Sequence, residues 1–166
     1  MSVNFFELQC KQISRAKLFG LCDNPPPPSK PAYIDENNDK CWIAVVSNEK
    51  NLEVIFIAID NCINIRKSSG KTESRCDGLL TYNSTIIFVE LKQRTDKKWI
   101  KEGDGQLRKT IEYFERTDES QEFNVKKAYI ANSKNPKFKT SQTKRMNKFF
   151  EDTGYVLRIE NRITIE

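Results

Sequence analysis

The segment from Leu79 to Lys92 (Leu-Leu-Thr-Tyr-Asn-Ser-Thr-Ile-Ile-Phe-Val-Glu-Leu-Lys) constrains the fold more than any other part of the chain. Two apolar runs rich in β-branched and aromatic residues flank Asn83-Ser84, which turns the chain between them. The segment therefore predicts two neighbouring strands. Ile86 to Val89 is unbroken by any polar residue, so its strand belongs at the centre of a sheet. Its polar end, Glu90-Leu91-Lys92, then calls for a reason of its own.

Around this hairpin the remaining elements are read from their periodicity. Residues 3–19 place Phe5, Phe6, Cys10, Ile13 and Leu18 at roughly helical intervals, with Gly20 as the stop. Residues 21–40, with Pro25 to Pro28 and Pro31, read as a loop or polyproline stretch. Cys41–Val46 and Leu52–Ile59 predict a β-hairpin, and Asn61–Ile65 a weak continuation of the sheet. Ser68-Ser69-Gly70-Lys71 is a turn. A helix is expected over Asp104–Arg116, with Leu107, Ile111 and Phe114 on one face and Asp104 as its cap. Val125–Ala131 follows as a strand. Thr140–Asp152 reads as a second helix, with Met146, Phe149 and Phe150 inward and Gly154 as its stop. Tyr155–Ile159 and Arg162–Ile165 read as a closing hairpin. The expected class is α/β, a central mixed β-sheet flanked by helices with an extra N-terminal helix and β-hairpin. One domain over 1–166 is expected: an N-terminal helix and Pro-rich loop in 1–40, and a core in 41–166.

Strand alternation puts Glu90 and Lys92 on one face and Leu91 on the other. Asp77 stands just before the first strand, so two carboxylates and an ammonium group meet at one end of the hairpin. Like charges held close resist ionisation, and isolated charges resist desolvation. A divalent cation and a phosphate would resolve both conflicts. Asp77, Glu90 and the Leu91 backbone carbonyl form a hard oxygen set suited to Mg²⁺ or Mn²⁺. Lys92 could orient or deprotonate a water, or neutralise developing phosphate charge.

Composition narrows the chemistry further. The 166 residues contain no histidine, which removes Ser-His-Asp and Cys-His triads and histidine acid–base catalysis. Five scattered cysteines form no C-x-x-C pair, so zinc is not expected and reduced, mostly buried thiols are. No run of about 18 apolar residues exists to cross a membrane, and Met-Ser-Val-Asn-Phe-Phe-Glu lacks the regions of a signal peptide. A cytoplasmic location is the resulting expectation. The net charge of +5 is unevenly spread. Residues 91–150 hold 16 Lys/Arg against 8 Asp/Glu, a net +8, which leaves −3 for the rest. Such asymmetry suits a polyanionic partner. Lys134, Lys137, Lys139, Lys144, Arg145 and Lys148 form one candidate phosphate-binding stretch, interleaved with Pro136 and Phe138. Lys97, Lys98 and Lys101 form a smaller cluster around Trp99, which could be either a core anchor or a stacking platform.

Asp77, twelve intervening residues, then Glu90-Leu91-Lys92 after an apolar strand resembles the PD-(D/E)xK nuclease superfamily over roughly residues 60–131. That resemblance implies a restriction-endonuclease-like core, with Asp77 and Glu90 as metal ligands and Lys92 as the catalytic lysine. It also implies a site-facing glutamine on the following helix, for which Gln106 is placed. An additional acid from upstream would be Glu7 or Glu73. The motif's proline is replaced by Cys76, and the Gln-x-x-x-Tyr form is not matched, since position 110 is threonine and Tyr113 lies seven residues on. The function so implied is Mg²⁺-dependent phosphodiester hydrolysis, with DNA a more expected substrate than RNA and defence or repair as the expected setting. With little room for sequence recognition, a homodimer or a partner protein would supply it. Two other readings stay open: an inactive or partner-dependent nuclease-fold subunit, and a basic nucleic-acid-binding domain with no enzymatic role.

Overall fold

The computed structural model describes residues 3–134 and 141–166. A 3-10 turn at Leu8–Cys10 leads into β1 (Lys11–Ser14), β2 (Leu18–Cys22) and β3 (Tyr33–Asp35). After a second such turn at Asp39–Cys41 come β4 (Ala44–Ser47), β5 (Val54–Ala58), β6 (Gly78–Tyr82) and β7 (Thr85–Lys92). Then follow α1 (Trp99–Glu115), a 3-10 segment at Asp118–Glu122, β8 (Val125–Asn132), α2 (Thr143–Thr153), β9 (Val156–Arg158) and β10 (Arg162–Thr164).

The strands form two sheets, a six-stranded one ordered β1-β5-β6-β7-β8-β9 and a four-stranded one ordered β10-β4-β2-β3. In the larger sheet β1, β5, β6 and β7 pair antiparallel, while β8 and β9 join parallel, which makes it mixed. Alternation along β7 assigns its two faces. Ile86 and Phe88 pack with Leu107, Ile111 and Phe114 of α1 and Phe149 of α2. Ile87, Val89 and Leu91 pack with Phe19 and Leu21 of β2 and Val46 of β4. Helices therefore cover one face of the central sheet and the small sheet covers the other. All eight β7 residues are buried, as an unbroken apolar run in a central strand requires. Phe88 meets Phe114 at 5.2 Å and Tyr155 at 5.8 Å between centroids, in edge-on contacts. Each such fully buried large side chain contributes about 1.5–3 kcal/mol.

The β6–β7 hairpin, the β8 strand and both helices stand where the pattern predicts them, and Gly154 ends α2 in a left-handed conformation (φ 79°). Other expectations are corrected. Residues 3–19 are not a helix: β1 pairs with β5 and β2 with β4, and in these ladders Ile13 and Leu18, which helical spacing places on an apolar face, are exposed. Gly20 is no helix stop; it lies within β2, where a Cβ would fall 1.9 Å from the Trp42 ring. The proline-containing stretch carries β3. Neither other predicted hairpin forms. β4 and β5 belong to different sheets, as do β9 and β10, so each short connection passes the chain between layers. Asn61–Ile65 is a turn region, with Asn61 left-handed (φ 64°). Helix α1 begins at Trp99 rather than Asp104, because Trp99, Ile100 and Gly103 extend its buried face. Trp99 is thus a core residue. Phe150 is 53% exposed, on the outer side of α2 from Phe149.

The thiol expectation holds for three of the five cysteines and fails for the other two. Cys10 and Cys62 form a disulfide across 52 residues, while Cys22 and Cys76 are buried free thiols and Cys41 an exposed one. The antiparallel pairing of β1 with β5 (Lys11 opposite Ile57) brings the residue before β1 next to the turn after β5. Spacing alone carries no trace of that proximity. Among the described residues no helix is long and apolar enough to cross a membrane.

Candidate active site

Strand β7 outruns its antiparallel neighbour. Pairing with β6 ends at Gly78 opposite Val89, whereas pairing with β8 continues to Lys92 opposite Asn132. Glu90 to Lys92 therefore have a free edge on the β6 side, and Asp77 fills it. The Leu91 N–H donates to Asp77 Oδ2 at 2.7 Å, and the Asp77 N–H donates to Glu90 Oε1 at 3.2 Å. The N–H and C=O of an extended residue leave by the same edge, so the Leu91 carbonyl also faces the Asp77 side. Glu90 and Lys92 lie on the helix-covered face, and the Lys92 ammonium bridges Glu90 Oε2 at 2.8 Å and Gln106 Oε1 at 2.7 Å.

Helix α1 sets this geometry through two residues one turn apart. The Gln106 amide donates to the Arg75 carbonyl at 3.4 Å, which turns its oxygen toward Lys92. The Thr110 hydroxyl accepts from the Cys76 N–H at 2.8 Å and donates to the Gln106 carbonyl at 2.9 Å. The approach to Asp77 is thereby pinned to the helix from behind.

Electrostatically the cluster is under stress. Asp77 and Glu90 are 7% and 2% exposed. Burial, then the Glu90 charge, holds the Asp77 carboxyl well above the ordinary carboxylate range. Burial also raises Glu90, although the Lys92 ammonium pulls it back. Two further acids, which the sequence did not single out, stand close by. Burial, then the adjoining Asp77 carboxyl, then Asp60, pushes Asp23 up to about 7. Asp60 is itself paired with Arg75 at 2.8 Å. Gln93 Nε2 donates to the Asp23 carbonyl at 2.9 Å and ties that segment to the end of β7. Asp23 follows β2 directly and Asp60 comes two residues after β5. An acid just past an apolar run was the available signal.

Among the described residues no group of three or more His, Cys, Asp or Glu side chains is arranged to hold a metal by itself. The donors to be tested are the Asp77 and Glu90 carboxylates. Their chemistry fits Mg²⁺ or Mn²⁺, since Mg²⁺ is commonly held by one or two carboxylates with waters and substrate phosphate completing its shell. A cation would also offset the burial that lifts both groups and the Glu90 charge that lifts Asp77 further.

The other sequence candidates divide. Glu73 does not join the pair: its carboxylate accepts from Ser74 N–H at 3.0 Å and from the Tyr113 hydroxyl at 3.1 Å. No hydrogen bond or ion pair among the described residues joins Glu7 to the cluster; its carbonyl accepts from Cys10 N–H. Lys98 and Lys101 border the cleft beside Lys92 and Gln106, together with Lys109, which the sequence reading did not name. Lys97 is exposed just ahead of α1. Lys134 and Lys144 are exposed, but Arg145 is committed to Asp104 at 2.8 Å and Lys148 to Asp152 at 2.9 Å. Lys137 and Lys139 lie outside the described residues. No family model, curated protein or solved structure matches this chain.

Proposed function

We propose that this chain is a metal-dependent nuclease with a restriction-endonuclease-like core of the PD-(D/E)xK kind, hydrolysing phosphodiester bonds. One observation carries the reading: Asp77 and Glu90, buried and in contact at the free end of β7, sit beside a Lys92–Gln106 pair that borders a lysine-lined cleft. Structural acids are normally paired, so a buried acid pair with one ammonium group beside it among the described residues fits a site built for a cation.

Asp77 and Glu90 would hold Mg²⁺ or Mn²⁺, with the Leu91 carbonyl on the same edge. Such an ion supplies Lewis-acid polarisation of a phosphoryl oxygen and lowers the pKa of a water. The chain's own residues do the remainder. Lys92, fixed from two sides, presents its positive charge where the phosphate gathers negative charge. Gln106 holds that ammonium in place, and Thr110 keeps the strand entrance and helix in register. DNA is the substrate that the motif resemblance implies.

The test is cleavage of duplex and single-stranded DNA, and of RNA, with Mg²⁺, Mn²⁺ or chelator. Metal-dependent cleavage that disappears in Asp77→Asn, Glu90→Gln and Lys92→Met is expected. Cleavage that persists in all three variants would overturn the site. Binding without cleavage by the wild type would favour a nucleic-acid-binding subunit instead.

A further inference from the structure

We infer that the exposed face of α1 around Gly105 seats the substrate's sugar-phosphate backbone, which crosses the helix between Lys101 and Lys109 on its way to Lys92. This rests on the nuclease reading and gives the path by which nucleic acid reaches that site.

A cleft of about 790 Å³ runs beside Lys92 and Gln106, bordered by Lys98, Lys101, Gly105 and Lys109. Its charge balance is positive. The acid within it, Glu102, is held in an ion pair by Arg94. Lys109 is only loosely engaged, with Glu112 at 3.4 Å. Lys101 and Lys109 lie one turn to either side of Gly105, on the same face of the helix. Their separation of about 12 Å along the axis leaves a gap over Gly105 in which one sugar-phosphate strand can lie with an ammonium group on either side.

Gly105 itself is the telling residue. It stands in the interior of a 17-residue helix, where glycine destabilises relative to alanine. Packing does not require it, since a Cβ there would meet nothing within 4 Å. Gly103, two residues earlier, has an ordinary structural reason: its Cβ would crowd Ile130 at 3.2 Å. What a bare position gives at an open site is close approach of another backbone. Ammonium groups on both sides make that backbone an anionic one, and continuity with Lys92 makes it the phosphodiester chain being cut.

The experiment measures binding of a fluorescein-labelled duplex DNA by anisotropy in chelator, over a series of salt concentrations. Thermal melting is recorded in parallel for wild type, Gly105→Ala, Gly105→Met, Lys101→Ala and Lys109→Ala. Both glycine variants should melt higher than wild type, yet bind about threefold (Ala) and more than about tenfold (Met) more weakly, because their side chains occupy the backbone's seat. Each lysine variant should lower the slope of log affinity against log salt by about 1. Wild-type affinity in Gly105→Met would overturn the path, and so would unchanged slopes in both lysine variants. The catalytic reading fails separately: if wild type binds through Gly105 but does not cut with Mg²⁺ or Mn²⁺, that reading falls and the path stands. Asp77-dependent cutting with Gly105→Met unimpaired sinks the path alone.

Discussion

Two nearly inaccessible aspartates, Asp104 within α1 and Asp77 just ahead of β6, live in opposite electrical surroundings. Asp104 is 5% exposed and is clamped by the guanidinium groups of Arg108 and Arg145, so its charge is answered twice. Asp77 is 7% exposed and has Glu90, Asp23 and Asp60 around it, while Lys92 bridges Glu90 rather than Asp77. Burial of a charge is tolerated when a partner is built in. Asp104 has that partner in the fold. Among the described residues Asp77 has no ion-pair partner, and that contrast supports the proposal that it works with a cation.

The largest expected effect is on catalysis. Asp77→Asn and Glu90→Gln should each lower DNA cleavage by about 10²–10³-fold or more, whereas Asp104→Asn should leave the rate of properly folded protein within about threefold. Equal losses at Asp77 and Asp104 would dissolve the contrast. Next in size is the disulfide. Cys10→Ser should lower unfolding free energy by about 2–4 kcal/mol through a 52-residue closed loop, without touching either aspartate's environment. Denaturant titration with and without reductant checks it.

Stability then separates the two aspartates by sign. Asp104→Asn removes the partner of two arginines and should cost about 2 kcal/mol. Asp77→Asn removes repulsion and should raise the melting temperature in chelator at pH 8 by about 2–6 °C. The pH dependence follows from the same surroundings. Raised carboxyls mean that the folded state keeps protons the unfolded chain has already lost. Stability in chelator therefore falls as pH rises from the ordinary 3.8 to about 7, the span through which Asp23 is shifted. In Asp77→Asn this fall should flatten, and added Mg²⁺ should stabilise wild type most at the alkaline end. The smallest effect belongs to the cleft's outer rim: Lys98→Ala should weaken DNA binding about two- to threefold and reduce its salt dependence.

Much of this contrast was legible in the residues, and the rest was not for identifiable reasons. The hairpin of β6 and β7 could be read because apolar continuity and a turn pair are local signals. Asp77, Glu90, Lys92 and Gln106 come together in the structure because strand alternation and helix spacing are short-range geometry. Layer assignment is not local. Nothing between Ser47 and Val54, or between Arg158 and Arg162, announces that the chain changes sheets there instead of turning back. Asp23 escaped notice for the same reason, since β2 meets Asp77 only once the sheets are stacked, whereas Asp60 is brought there by the pairing of β5 with β6 within the larger sheet. Flanking Gly103 and Gly105 make Asp104 look like a helix cap. In fact Gly103 makes room for Ile130 and the acid serves two distant arginines.

The most direct test of a cation site at Asp77 and Glu90 is Mn²⁺ binding measured at pH 7.5 by calorimetry, with wild type, Asp77→Asn and Asp104→Asn side by side. One ion bound by wild type and Asp104→Asn, and lost in Asp77→Asn, is the predicted result. Binding that is absent from wild type, or that survives Asp77→Asn unchanged, would contradict the account.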